Sequence, residues 1–457
     1  MNCLTGETDS LISNEVHLST VPSATAVRNQ QHQTGTSILG TVFLIVNATL
    51  GAGVLNFPQA FDNAGGIATS IITQLGFLFF ITATLIILAS CSDITNTHSM
   101  QDTCAGLCGR KFLYICGIFV AVYSFGCCLT FLIIIGDQFD RVFATFYGMD
   151  FCNHWYLSRT FVTSTACTVF ILPLCFFKRL DVLSYASSVG CVTILYVVWL
   201  IIYESFAHED SASKPVKIWP DNSLEALEIV PIICFAYQSH MTAIPTYACM
   251  KNRKIGQFTL CAIISMTVCF VVYCVVGIFG YITFGIGKVP SDILQGYMDK
   301  NISLAIAIVA IAVKNFTTYP IVLYCGRDAV LGLFGLDIDM HIRSRIMITL
   351  IWFVATLSIA IYVPDIAPVI NLLGALSATF IFILPGICLL QSTLLKDPEL
   401  YLNKDRLLLI LAIVITTIGA FVFGVVLMEA VQDLQKDLFK NLKVAGFKAM
   451  LGQSLCK

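Results

Sequence analysis

Three groups of residues in this chain have types and spacings that could do chemistry, and each sits inside an otherwise hydrocarbon stretch. Residues 47–58 read NATLGAGVLNFP, which places Asn47, Thr49, Gly51 and Gly53 within an apolar run. Residues 230–247 read VPIICFAYQSHMTAIPTY, with Gln238, His240 and Thr242 between Pro231 and Pro245. Lys314 stands at the middle of a third apolar stretch. Glycine accepts backbone angles that other residues avoid. In hydrocarbon, freed N–H and C=O groups persist only where protein or a water-filled cavity covers them. A helix interrupted at mid-membrane therefore marks a cavity, with positive half-helix ends for a carboxylate and unwound carbonyls for a cation. Taken alone, Gly51 and Gly53 fit a small-residue packing face equally well. The second interrupted segment decides for a binding site.

The elements that carry these residues follow from composition. Of 457 residues, 57% are hydrophobic and 12% charged, and the mean hydropathy is +0.84. A soluble chain of this size needs a far more polar surface, so the protein is polytopic in a membrane. The net charge of −2 offers no basic face for nucleic acid. A span takes roughly 20 apolar residues. Candidates lie at 38–61, 67–91, 112–136, 160–177, 184–203, 228–250, 259–283, 303–326, 346–363, 368–391 and 406–428, eleven in all. Interruptions in the first and sixth spans are what two inverted five-helix repeats place there, with the eleventh helix outside the repeat.

Three regions result. Residues 1–36 form a polar, disordered tail without a cleaved signal peptide, 37–428 the membrane domain, and 429–457 a tail whose residues 430–450 fit an interfacial amphipathic helix. With the N-terminus in the cytosol, cytosolic segments hold fourteen Lys and Arg against six in the opposite loops, the asymmetry that orients membrane proteins. The five lysines of the C-terminal tail run against it.

Several collinear stretches, VNATLGAGVLNFPQAFDNAGG, FLIIIGDQFD, PIICFAYQSH, TTYPIVLYCGR and GALSATFIFILPGICLLQ, resemble the sodium-coupled neutral amino acid transporter family. The similarity is strongest to its lysosomal glutamine and asparagine branch. The resemblance implies an all-α fold of eleven helices in the leucine-transporter arrangement and coupling to a sodium ion or a proton, with no other cofactor. It carries Asn47 and Thr317 over as cation ligands, joined by Thr318 and by unwound carbonyls near Thr49 and Leu50, an oxygen set that suits sodium. The bland role for a transmembrane threonine is a bond back to its own helix. The substrate α-carboxylate would meet the N–H groups of Gly51, Ala52 and Gly53, and its ammonium the carbonyls around Cys234, Phe235 and Tyr237.

Lys314 departs from the family pattern, which leads one to expect an uncharged residue. It lies three residues before Thr317, on roughly the same helix face, and a charge there is costly unless paired or wet. Either its ammonium reaches the cation site and replaces sodium, leaving a proton-coupled or uncoupled carrier, or it snorkels into a polar cavity with no part in transport. His240 is either a sensor of pH or a hydrogen-bonded structural group. Asp137 and Asp365 fall at span ends, where a solvated or capping carboxylate is expected. Asn301 heads a glycosylation sequon on the far side. Most of the nineteen cysteines lie in apolar runs as small hydrophobes. Cys152 and Cys456 are expected on the far face, packed without a bridge. No cysteine–histidine spacing resembles a metal site.

Glu7, Leu11 and Ile12 in ETDSLI match an acidic dileucine sorting signal for an adaptor, which favours a lysosomal or late endosomal membrane over the plasma membrane. The expected function is sodium-coupled secondary transport of glutamine- and asparagine-like neutral amino acids by alternating access around broken helices 1 and 6, with membrane lipid and substrate as the partners. The alternative is a proton-coupled or uncoupled carrier using Lys314. An amino acid sensor with vestigial transport ranks below both. An enzyme is not expected: no nucleophile stands beside a base, and no carboxylates pair catalytically.

Overall fold

The computed structural model describes residues 36–147, 154–176, 181–207, 214–297, 302–334, 342–363, 366–396 and 403–445. The calls on Glu7, Leu11, Ile12, Cys152, Cys456, Asn301 and Asp365 lie outside the described residues. In chain order the helices are α1 (Ile38–Thr49), α2 (Phe57–Asn63), α3 (Ile67–Thr95), α4 (Met100–Cys108), α5 (Arg110–Tyr147), α6 (Arg159–Ala166) and α7 (Leu172–Cys175). They continue with α8 (Asp181–Ala207), α9 (Val230–Ala236), α10 (His240–Ala248), α11 (Ile255–Phe284), α12 (Ile293–Gly296) and α13 (Ile302–Leu333). The last four are α14 (Ile342–Tyr362), α15 (Ala367–Ala378), α16 (Leu384–Lys396) and α17 (Asn403–Ala445).

Among the described residues, nine helices are long and apolar enough to cross a membrane, and ten when α1 and the segment beyond its 54° bend count as one. The expected fourth span, Arg159–Cys175, is apolar but shorter. A π-turn at Cys167–Ile171 lies within it. Large apolar side chains such as Phe79, Ile351, Leu407 and Phe421 cover the outside, the inverse of a soluble surface and the expected match to hydrocarbon. Hydroxyls within the spans bond inward to their own helices: Thr84 donates to the Phe80 carbonyl, Thr130 to Gly126 and Thr356 to Trp352. Such bonds let a polar residue sit in a span without a second partner.

At the centre α5 and α13 form the most extensive helix pair, with α8 and α14 against α13. α11 holds α1, α2 and α3, and α15 packs between α9 and α17. Ser37 starts α1 by accepting from the Gly40 N–H at 3.2 Å. Just before it, Thr36 donates to the Cys249 carbonyl (2.7 Å) and accepts from the Lys251 N–H (3.0 Å). The entrance of α1 is thereby fastened to the exit of α10.

Two expectations are corrected. Asp137 is neither solvated nor a cap, because α5 runs on to Tyr147 and leaves it 3% exposed. Arg159 of α6 supplies the compensating charge, its Nη1 2.5 Å from the carboxylate, so the helix can continue past a buried anion. Residues 430–445 do not form a separate interfacial helix but prolong α17 without a break.

Removing one partner of a buried ion pair costs about 3–5 kcal/mol. Arg159→Met should lower the melting temperature of the detergent-solubilised protein accordingly. An unchanged melting temperature would mean that other groups or water already neutralise Asp137.

Candidate functional site

The site begins where α1 ends. Leu50 leaves helical geometry (φ −72°, ψ 78°), Gly51 follows, and the chain resumes as a 3-10 turn over Ala52–Asn56 before α2. Pro58 lies in the first turn of α2, where its missing N–H costs nothing. The last carbonyls of α1 carry the negative end of the helix dipole, and that of Thr49 accepts from the Gly51 N–H in a tight turn at 2.8 Å. Two side chains from other helices meet them. Tyr273 Oη of α11 lies 2.8 Å from the Thr49 carbonyl, and Lys314 Nζ of α13 donates to the Leu50 carbonyl at 2.9 Å.

The second interruption lies opposite. α9 stops at Ala236, Tyr237 and Gln238 are non-helical, and α10 starts at His240. The Ala236 carbonyl is 2.9 Å from the same Tyr273 Oη. One phenol proton thus serves two unwound carbonyls, one on each broken helix, at any moment donating to one or shared between them. The Tyr273 ring stacks on Phe57 at 4.3 Å and meets Tyr237 edge-on at 5.0 Å. Gly53 lets the two breaks touch, because a Cβ there would fall 2.8 Å from Ala236 Cβ and 3.2 Å from its Cα. Tyr237 points into the core, its oxygen accepting from Gln74 Nε2 at 2.7 Å. His240 is fully buried, with Nε2 3.0 Å from Thr84 Oγ1. That hydroxyl is directed at the Phe80 and Ile81 carbonyls, which leaves its oxygen to accept an Nε2–H.

Lys314 is buried, 9% exposed. Its stem runs along Gly190 of α8, where a Cβ would come within 3.3 Å of Lys314 Cγ. The neighbouring Cys191 donates its thiol to Asn47 Oδ1 at 3.2 Å. Of the expected cation ligands, only the Leu50 carbonyl meets the ammonium. Thr317 turns its hydroxyl to the Val313 and Lys314 carbonyls, and Thr318 to that of Lys314. Thr49 does likewise toward Ile45. Cys234 and Phe235 are buried in α9, and Gly51 is half-buried. Nothing is described of the Ala52 side chain. Buried donors and acceptors unpaired in the structure include Gln238 Nε2, Ser239 Oγ and Asn315 Nδ2.

Beyond the break, the other end of helix 1 is covered. Asn56 Nδ2 donates to the Ser291 carbonyl (2.9 Å), and Gln138 Nε2 of α5 to Asp292 Oδ2 (2.8 Å). Asp292 also caps Leu294 N at 3.0 Å. Burial pushes its carboxyl up to about 6.

Reading the types alone singles out Asn47, Lys314 and the two breaks, but misses Tyr273, Gly190 and Gln74. A lone tyrosine in the apolar run of residues 268–280 and a glycine within α8 were the available signals.

Two interrupted apolar helices whose unwound carbonyls meet at one tyrosine, within a bundle of long apolar helices, fit a multi-pass membrane protein of the leucine-transporter type. The fold is similar to that of MhsT in complex with L-phenylalanine, with TM-score 0.54 at 14% identity, over 85% of this chain and 98% of that one. It is also similar to a manganese transporter from Eremococcus coleocola, with TM-score 0.51 at 11% identity, over 92% and 98%. The chain belongs to the family described as transmembrane amino acid transporter protein, which matches residues 34–432. It is 36% identical to sodium-coupled neutral amino acid transporter 7 of Danio rerio over 419 residues, 89% of each chain. The human protein of that name is 36% identical over 401 residues, 85% of this chain and 86% of its own. Human solute carrier family 38 member 8 is 28% identical over 414 residues, 87% and 94%. The protein is an amino acid transporter and not an enzyme.

Tyr273→Phe leaves the Ala236 carbonyl without its hydroxyl and the Thr49 carbonyl with the Gly51 N–H alone, at a cost of about 1–3 kcal/mol. A lowered melting temperature and slowed uptake are expected, and wild-type values in both would show that water replaces the phenol.

Asp292 gives a pH dependence of stability. With its folded value raised to about 6, its contribution is full below the unfolded value near 4 and is lost as pH rises through 6. The stability difference between wild type and Asp292→Asn should therefore shift against the wild type between pH 4 and pH 6 and flatten above. A difference constant with pH would contradict this.

Proposed function

We propose that the chain is a secondary transporter of neutral amino acids, glutamine and asparagine among them, which alternates access about the interruptions in helices 1 and 6. In this reading the Lys314 ammonium takes the place of a coupling cation. The observation that supports it is the 2.9 Å bond from Lys314 Nζ to the Leu50 carbonyl, one of the oxygens expected to ligate sodium. A resident positive charge there competes with a metal cation for the same dipole end. Coupling then passes to the lysine proton or is absent. The substrate carboxylate would meet the backbone N–H groups of Gly51, Ala52 and Gly53, and the ammonium the carbonyls of Cys234, Phe235 and Tyr237. The Gly51 N–H would first release the Thr49 carbonyl, to which it donates at 2.8 Å.

Sodium coupling is the second reading, favoured by the names of the relatives. Its ligands would be Asn47, Thr49, Leu50, Thr317 and Thr318, and in the structure the side-chain oxygen Asn47 Oδ1 already accepts from the Cys191 thiol. For location, the charge asymmetry supports a cytosolic N-terminus, and the match of ETDSLI to an acidic dileucine signal supports a lysosomal or late endosomal membrane.

The test is glutamine uptake into proteoliposomes with sodium and a pH gradient varied independently, for wild type and Lys314→Gln. Sodium-independent uptake that responds to the pH gradient, with that response lost in Lys314→Gln, is expected. An absolute sodium requirement that Lys314→Gln leaves unchanged would return the site to sodium. Binding of glutamine without flux would favour the sensor.

A further inference from the structure

Five thiols from four helices gather at the end of the bundle where Thr36 meets Met250: Cys91 of α3, Cys104 and Cys108 of α4, Cys116 of α5 and Cys388 of α16. Cys104 and Cys108, one helical turn apart, share a face of α4. Cys104 Sγ lies 3.7 Å from Cys388 Sγ, and both are buried. Cys108 also reaches toward Cys388, and Cys116 toward Cys104. Cys91 instead points its thiol at Ser392 Oγ, 3.8 Å away. Burial differs usefully within the group. Cys91, Cys104, Cys116 and Cys388 are buried, whereas Cys108 is half-buried, the one cysteine of the five with appreciable exposed surface.

A thiol in an apolar helix is usually only a small hydrophobe. Here sulfurs from two helices are already within about 2 Å of the 2.05 Å bond length, and a third offers an entrance. The charge asymmetry assigns this end to the cytosol, where such thiols rest reduced and oxidation is transient.

We propose that Cys104, Cys108 and Cys388 form a peroxide-sensitive modification site whose product is a disulfide tying α4 to α16. The Cys108 thiolate attacks hydrogen peroxide, the O–O bond breaks, and Cys108 becomes a sulfenic acid as hydroxide leaves and is protonated to water. The Cys388 thiolate then attacks that sulfur, the S–O bond breaks, and a second water leaves with formation of the Cys108–Cys388 disulfide. Attack of the Cys104 thiolate on Cys388 moves the bond to the buried pair and releases Cys108 as a thiolate. In sum, two thiols and one peroxide give one disulfide and two waters. α4 touches α10, the second half of the interrupted sixth helix, and α10 also lies along α3, to which α16 is packed. The bond stiffens the wall beside α10 and slows transport, a consequence that rests on the function proposed above.

The experiment treats the full-length protein in proteoliposomes with graded hydrogen peroxide, blocks remaining thiols, and maps linked peptides by mass spectrometry without reduction. A Cys104–Cys388 linkage that appears ahead of all other cysteine pairs and reverses with dithiothreitol is expected. Cys388→Ser should abolish it, and Cys108→Ser should slow its appearance several-fold, because the buried sulfurs lose their entrance. Oxidation of Cys108 to sulfinic acid while Cys104 and Cys388 stay free thiols would overturn the proposal, as would linkage at an unchanged rate in Cys108→Ser. Glutamine uptake measured on the same vesicles should fall with the linked fraction in wild type and hold steady in Cys388→Ser. Peptide mapping needs no transport, so failure of the site and failure of the transport reading are told apart.

Discussion

A membrane interior offers no water to a backbone group that leaves its helix, and each one left unpaired costs several kcal/mol. Everything distinctive in this bundle answers that constraint at three carbonyls, those of Thr49, Leu50 and Ala236. Tyr273 covers the first and third, and Lys314 covers the second. Two helices that would otherwise have to stay continuous can therefore be interrupted, and polar backbone groups from both come together inside the bundle. The packing around it follows from the same need. Gly190 clears a lane for the lysine stem, and Gly53 lets one break press against the other.

The two partners differ in kind. Tyr273 is a neutral donor that holds both breaks from a single helix, so it fixes their spacing. Lys314 brings a full charge to the negative end of α1, so the strength of its contact depends on protonation and on any rival cation. A phenol acts there as a strut and an ammonium as a titratable occupant. The thiol group near α4 is separate from both and meets the interrupted sixth helix only through α4 and α3, which pack against α10.

Much of this was readable in residue types. Glycines within hydrocarbon mark the break in helix 1, prolines and polar groups mark that in helix 6, and a lone lysine in an apolar run must seek an oxygen. The family pattern was equally legible, because collinear motifs run through nearly every span. Partners supplied from distant sequence were not. Tyr273 reads as one more aromatic in a span until the fold brings it to two carbonyls. Asp137 looks like a span end because the rule for spans stops at charges, whereas Arg159, on another helix, neutralises it and lets α5 continue. Thr317 shows the converse: a hydroxyl that residue type makes a candidate ligand is spent in the structure on its own backbone. The tail beyond residue 428 looked separate because its composition changes, but helical hydrogen bonding does not stop where hydrophobicity does.

The short pairing of Thr36 with Cys249 and Lys251 makes α1 and α10 a yoked pair, although almost two hundred residues separate them in the chain. Whatever grips the segment leading into Thr36 grips the exit of α10 as well. A load applied at Thr36 would then reach the start of α1 and the exit of α10 together, so the two move as one end rather than as two.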